Sequence, residues 1–504
     1  MRGLRWLAVT RMIGETLAFA AAVALARLVG PAEFGHAAVA LIFLPLAGIL
    51  TFEGFASSLV QREEIDEHDI RAAVLMSIVG GAALSAGVYG LGGPLWEPLF
   101  GGQTADLIRL ISPILLIAAL GGVSRAKLWR ALDFPRTSVI DTSSVVSGYA
   151  VAVTLAALGL GAKAIVIGAL AQTLVSSLLL LATAPVPLPR WSRRAGGQVA
   201  GFGIPAALAG LVEVLFRNID YAILAARLTA GATGIYYRAF NLGVVYQDKV
   251  SGIMVQVAYP LYSRTTEVSR LRQIHERAAR VHAAVLFPAL ALLIVLAPYV
   301  VPLLFGAAWT PAVEPTQVLA LAGMMAAVLT GYSQVMLAIG KPRQLLWFNI
   351  GRLFLYGGVV LLASRHGLMT VAVAVVGAYL VILLAAYALL LGPNVGISVR
   401  RLVPELAPAV VGCVALAAVS VGLTHVLGGL PRIVVIALVA PAGGLVYALT
   451  LRFAFPAAWA DVRTLAMQVG GPLISRFGRG GGAAPTERGG APDQAPEPAP
   501  AGIA

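Results

Sequence analysis

Apolar residues fall in blocks of about 20 along this chain, separated by short polar connections, which is the pattern of membrane-spanning helices. About fourteen such blocks can be counted, at roughly 7–29, 36–58, 72–92, 105–122, 138–158, 162–184, 202–226, 232–258, 281–305, 315–338, 345–364, 369–391, 406–426 and 432–452. The pattern predicts an all-α polytopic membrane protein. The first block reads as a retained helix. Ala24-Leu25-Ala26 resembles a leader-cleavage site, but Arg11 and Glu15 interrupt the apolar run that a leader needs.

Composition agrees with the pattern and narrows the classes. The 504 residues are 59% apolar and 12% charged, with a mean hydropathy of +0.87, whereas soluble proteins hold about 45–50% apolar and about 25% charged residues. A soluble enzyme, a secreted disulfide scaffold and a disordered chain are excluded. The net charge of +13 would point to nucleic acid in a soluble domain. Here the loops explain it without nucleic acid, because basic residues collect on the cytoplasmic side. With the N-terminus inside, loop-by-loop sorting puts 28 basic residues on the inner side, 6 on the outer side, and 2, Arg217 and Arg238, within spans. An alternation kept at every loop predicts an even number of spans with both termini cytoplasmic. The basic stretch 259–280 carries Leu271, Ile274 and Val281 on one face and is expected to lie along the inner membrane surface. The run Glu63-Glu64-Ile65-Asp66-Glu67 is expected to be a solvated loop. After Phe477, 19 of 27 residues are Gly, Pro or Ala, which predicts a disordered tail. Cys413 lies inside an apolar run and the six histidines are scattered, so no metal site or cofactor is expected.

The chain also repeats itself. Ala26-Arg27-Leu28 after the first block recurs as Ala226-Arg227-Leu228 after the seventh, and Leu132-Asp133-Phe134-Pro135-Arg136 is echoed by Ile339-Gly340-Lys341-Pro342-Arg343. Both matches lie about 200 residues apart and on the same side of the membrane. Six spans per repeat keep the two halves in one orientation, related by a pseudo-two-fold along the membrane normal. The expected organisation is a six-helix lobe over 1–190, a second over 191–398, two further helices over 399–455 and a cytoplasmic tail over 456–504.

At these residues the sequence resembles a known family. Ala26-Arg27-Leu28-Val29-Gly30-Pro31-Ala32-Glu33-Phe34-Gly35 is similar to its first outer turn, and Leu59-Val60-Gln61-Arg62 with the acids that follow is similar to its first inner loop. The family is the oligosaccharide flippases of bacterial polysaccharide biosynthesis, within the multidrug/oligosaccharidyl-lipid/polysaccharide exporter superfamily. The resemblance covers about 1–400. It implies two six-helix lobes around a central cavity, alternating access, and a polyprenyl-diphosphate-linked oligosaccharide as cargo.

Charges inside the membrane are costly, at about 2.5–3.5 kcal/mol each on insertion scales, and they mark candidate sites. Span one carries Arg11 and Glu15, span two Glu53, span seven Glu213, Arg217, Asn218 and Asp220, and span eight Arg238, Asn241 and Asp248. Glu213, Arg217 and Asp220 share one helix face. Guanidinium groups bind phosphate oxygens bidentately, so Arg217 and Arg238, with Arg11, Asn218 and Asn241, are candidates to hold the cargo. The acids Glu213, Asp220, Glu53, Glu15 and Asp248 outnumber the three arginines. That excess points to carboxylates that take up a proton or a cation and so couple transport to an H+ or Na+ gradient. The membrane potential acting alone is the other drive left open. Pro45, Pro205 and Gly14 are candidate kinks. No Gly-x-x-x-x-Gly-Lys-Ser/Thr loop is present, and the connections are too short for a catalytic domain, so no enzyme activity is expected. A cation-coupled multidrug exporter of the same superfamily is the rival reading. A cationic drug calls for acids, whereas a lipid diphosphate calls for arginines as well.

Overall fold

The computed structural model describes residues 2–49, 59–60, 64–245, 251 and 267–464, and within them the side chains from Gly14 onward except at 193–195, 198, 202, 205, 206 and 209. Among these residues the chain forms helices and turns, with no strand. The helical segments are, in order, α1 (Arg2–Leu28), α2 (Pro31–Gly48), α3 (Glu67–Gly90), α4 (Gly102–Arg130), α5 (Phe134–Ala157) and α6 (Ala162–Thr183). Then come α7 (Arg193–Arg227), α8 (Ala230–Phe240), α9 (Val268–Phe305), α10 (Ala307–Ala338), α11 (Pro342–His366), α12 (Leu368–Val395), α13 (Val399–Leu427) and α14 (Arg432–Ala454). Among the described residues, eleven of these are long and apolar enough to cross a membrane; α1, α7 and α8 complete the set.

Local chemistry sets the helix ends. Asp66 and Asp69 form a reciprocal capping box at the start of α3, with Asp69 N donating to Asp66 at 2.7 Å. The end of the acidic run is therefore a helix cap rather than a solvated loop. Asp133 and Thr229 cap α5 and α8 by accepting from backbone N–H groups. Pro45 lacks the N–H that would bond to Leu41, and α2 breaks into a turn at Leu41–Ile42. The two echoed turns each hold one left-handed residue, Leu132 (φ 55°) and Gly340 (φ 70°).

Buried side chains gather into two main cores. One takes residues from Leu25 to Ala169 with the ends of α9 and α10 around Phe305 and Trp309, and the other runs from Phe216 to Ala458. The halves meet where α2 crosses α8. A Cβ on Gly35 would fall 1.8 Å from the Ala230 carbonyl oxygen, and one on Gly234 would fall 1.8 Å from the Pro31 carbonyl oxygen. The two contacts are reciprocal, and only glycine allows either.

The amphipathic stretch does not lie on a membrane surface over its described part. From residue 268 it is the first three turns of α9. Leu271 is 1% exposed within the second core, and Ile274 packs against that core. Its arginines are engaged by the protein. Arg272 donates to the Val395 carbonyl at 3.0 and 2.9 Å, and Arg277 and Arg280 pair with Asp461 and Glu405 at 2.5–3.0 Å. An apolar face with a core beside it buries there rather than in lipid headgroups. Residues 259–266, and the tail after 477, lie outside the described residues.

Candidate functional site

The site is built by α7 facing α11. The i, i+4, i+7 spacing of Glu213, Arg217 and Asp220 turns Glu213 and Asp220 toward α11, which answers with Arg352 and Tyr356, themselves one turn apart. Glu213 sits between two guanidinium groups. It accepts from Arg217 Nε at 2.9 Å and from Arg352. The Arg352 guanidinium also lies over the Phe216 ring, 4.0 Å from its centroid.

Arg352 is 11% exposed along its side chain, and its buried Nε has no hydrogen-bond partner among the described residues. The trio opens on a cavity of about 380 Å³ lined also by Tyr332, Gln334 and Asn349. Tyr332 donates to Asn349 Oδ1 at 3.0 Å. Among the described residues, two arginines against one glutamate leave the cavity wall net cationic, within a volume ordinary for a small-ligand site.

Asp220 lies deeper and is wholly buried. It does not pair with Arg217. It accepts from the hydroxyls of Tyr236 and Tyr356, each at 2.9 Å, and from the Tyr221 backbone N–H at 2.9 Å. One carboxylate thus ties α7, α8 and α11 together. Asn218 and Asn241 each donate to a carbonyl of their own helix, Val214 at 2.8 Å and Tyr237 at 2.7 Å, and neither lines the cavity. At Asn241, α8 gives way to a π-helical turn, Asn241–Val245.

Arg238 is placed elsewhere, at the crossing of the halves. Only 4% exposed, it lies over Phe34 and Phe305, 4.6 Å from each ring, and 5.3 Å from Trp309. Trp309 Nε1 donates to the Ala26 carbonyl at 2.7 Å, and Arg27 donates to the carbonyls of Leu303 and Leu304 at 2.5 and 2.8 Å. Groups from the N-terminal helices and from α8 to α10 therefore meet at this end. Glu15 is exposed on α1 and does not line the cavity. The side chain of Arg11, and Glu53 and Asp248 entirely, lie outside the described residues.

Sequence reasoning missed Arg352. Loop sorting assigns it to the inner side, although it falls inside the apolar stretch 345–364. An arginine within a span is the same signal that singles out Arg217. A second cavity of about 390 Å³ lies in the first half, with Arg125 paired to Asp141 at 2.8 Å. Its Asp141 and Gln172 stand 208 and 207 residues before Asn349 and Tyr379 of the first cavity.

Residues 24–314 match a family described as "Polysaccharide biosynthesis protein". The chain is 25% identical over 409 residues to the lipopolysaccharide biosynthesis protein WzxC of Escherichia coli (strain K12), covering 80% of this chain and 83% of that one. It is 26% identical over 388 residues to the teichuronic acid biosynthesis protein TuaB of Bacillus subtilis (strain 168), covering 74% and 78%. In fold it is similar to the lipid II flippase MurJ in an inward closed conformation, with a TM-score of 0.70 at 13% identity, covering 93% of this chain and 99% of that one.

Proposed function

Because the chain belongs to the polysaccharide biosynthesis protein family, we propose that it moves a polyprenyl-diphosphate-linked oligosaccharide across the bacterial inner membrane by alternating access, for assembly or export of a surface polysaccharide. The observation that carries this reading is the clasp of Arg217 and Arg352 on Glu213, at the wall of a polar cavity inside an apolar helical body. Two guanidinium groups suit the two phosphates of a lipid diphosphate. The multidrug-exporter reading is weaker at this site, because a cationic drug would face a net positive wall. The names of WzxC and TuaB, both biosynthesis proteins of surface polymers, support the same reading.

The finer architecture follows from it. We take the chain as fourteen spans in two six-helix lobes, 1–190 and 191–398, related by a pseudo-two-fold along the membrane normal, with two further helices over 399–455, a cytoplasmic tail over 456–504 and both termini inside. The reciprocal Gly35 and Gly234 contacts and the paired cavities support the two-fold. On this topology the end held by Arg27, Arg238 and Trp309 faces outward, so the described state is closed to the outside. Arg238 meets the diphosphate only after that end has parted. Arg11, Asn218 and Asn241 are assigned to the path of the cargo. Ion coupling is assigned first to Glu213 and Asp220, then to Glu15, Glu53 and Asp248, with H+ or Na+ as the ion.

Export of the sugar polymer by cells carrying Arg217→Ala or Arg352→Ala tests the reading. Each change is expected to abolish export while the protein stays in the membrane at normal abundance. Lysine rescues partly, since it keeps the charge and loses the fork. Full export by both alanine variants would overturn the assignment.

A further inference from the structure

Between α11 and α12 runs a groove of about 520 Å³ on the outer face of the second half. Its wall is almost wholly apolar, with Trp347, Phe348, Leu355 and Leu389 prominent. Trp347 and Leu389 are 63% and 66% exposed, which in a membrane means exposed to lipid. One end is polar. There Gln344 accepts from Asn394 at 3.0 Å, and Asn394 accepts from Lys341. From Gln344 the groove follows α11 for about 16 Å, at 1.5 Å per residue, passing Arg352 and ending at Leu355. Arg352 and Ile382 line both this groove and the polar cavity. An apolar channel open to lipid therefore leads to Arg352, whose buried Nε has no hydrogen-bond partner among the described residues.

We propose that this groove receives the isoprenoid tail of the cargo, so that the lipid enters sideways between α11 and α12 with its diphosphate drawn onto Arg352 and Arg217. The inference rests on the flippase reading and extends it to the lipid moiety. The shape of an amphiphile matches the order of the surfaces: tail in the apolar groove, diphosphate at the shared arginine, sugars in the polar cavity. The groove is short, so it holds only the isoprene units next to the diphosphate, and the rest of the chain stays among the lipid tails. An ordinary phospholipid satisfies the groove but offers one phosphate diester to two guanidinium groups, which is why the diphosphate-linked lipid is the occupant.

Gly351 makes the groove testable. It lines the wall, and a Cβ there would meet nothing within 4 Å. A side chain would project into open groove without disturbing the protein, and leucine is a better helix former than glycine. Gly377 on α12 is equally open but does not line the groove, and serves as the control. The full chain in lipid nanodiscs is photolabelled with a sugar-free polyprenyl diphosphate carrying a diazirine near its diphosphate end, and adducts are mapped by mass spectrometry. Saturable binding of the same probe is measured separately.

Adducts are expected within 344–355 and 382–390, suppressed by excess unlabelled polyprenyl diphosphate and not by excess phospholipid. Gly351→Leu is expected to weaken labelling about tenfold by displacing isoprenoid methyl and methylene groups, while Gly377→Leu leaves it unchanged. Saturable binding with adducts elsewhere, or with Gly351→Leu labelled like wild type, refutes the groove and leaves the flippase reading standing. Equal competition by phospholipid makes the groove a site for bulk lipid and refutes the proposal. If the probe does not bind saturably at all, both fall.

Discussion

Asp220 is the residue on which three helices converge, and the chemistry of its three donors separates structure from transport. Removing the carboxylate leaves two buried tyrosine hydroxyls without an acceptor, and each unmatched group costs about 1–3 kcal/mol. Asp220→Ala is therefore expected to destabilise the protein by about 2–5 kcal/mol, read as a large fall in unfolding temperature in detergent. Asp220→Asn keeps the shape and can keep its oxygen at the Oδ2 position, which accepts from both tyrosine hydroxyls, so that the Tyr221 backbone N–H loses its side-chain acceptor. It is expected to cost about 1 kcal/mol. Transport by the asparagine variant then reports on coupling. In vesicles with the potential clamped, wild-type transport is expected to follow the H+ or Na+ gradient, and Asp220→Asn with Glu213→Gln to lose that dependence. Indifference of the wild type to both gradients would make the potential the drive. That is energetically open, since moving two negative charges outward gains about 2.3 kcal/mol per charge per 100 mV. Glu213 and Asp220 were legible in the sequence because acids are rare in apolar blocks and their spacing marks one face. Tyr236 and Tyr356 were not, because a tyrosine in a membrane helix is unremarkable until its partner, 16 or 136 residues away, is placed beside it.

Helices set what such residues can reach, and the crossing of α2 with α8 shows how. Each glycine removes one Cβ from the interface and lets a backbone carbonyl of the other half approach. Gly35→Leu or Gly234→Leu is expected to force the two helices apart, because a Cβ at 1.8 Å from an oxygen has no side chain to push aside. Thr233, fully buried beside this contact, offers a reporter. With Cys413, the chain's one cysteine, replaced by Ser, Thr233→Cys is expected to resist a membrane-impermeant thiol reagent. Adding Gly35→Leu should expose it. An unreactive Thr233→Cys in both backgrounds would show that the crossing tolerates the side chain. The helices themselves were readable from apolar block length, but their boundaries less so: the block placed from 138 begins at Phe134, where Asp133 caps a polar first turn that hydropathy does not register. The crossing was not readable, since a glycine leaves no trace in hydropathy. Likewise the start of α9 reads as a surface amphipath because Asp461 and Glu405, which engage its arginines, lie more than 100 residues away.

Over the whole molecule, charge in the loops is expected to set the orientation in the membrane. Reporter fusions after Arg136 and in the tail are expected to read cytoplasmic and fusions near Trp309 external; the reverse result at either inner position would invert the proposed topology. There are two main cores, and the first also takes in the end of α9 and the start of α10; on the proposed two-lobe organisation the lobes are expected to rock against each other across the seam where α2 crosses α8. The seam has a further consequence for descent. Gly35 meets Ala230 and Gly234 meets Pro31, and the equivalent residues Gly35 and Gly234, like Pro31 and Ala230, stand 199 positions apart, which is the pattern of an interface between two identical chains, where every contact occurs twice. In a half-length ancestor paired with its own copy, one glycine would have served both sides of the seam. On the proposed two-fold, fusion of two copies would free the halves to diverge in charge: the first cavity holds an Arg125–Asp141 pair, while the second gathers Glu213, Arg217 and Arg352. The doubled glycine would then be the inherited part, and the asymmetric arginines what the duplication made room for.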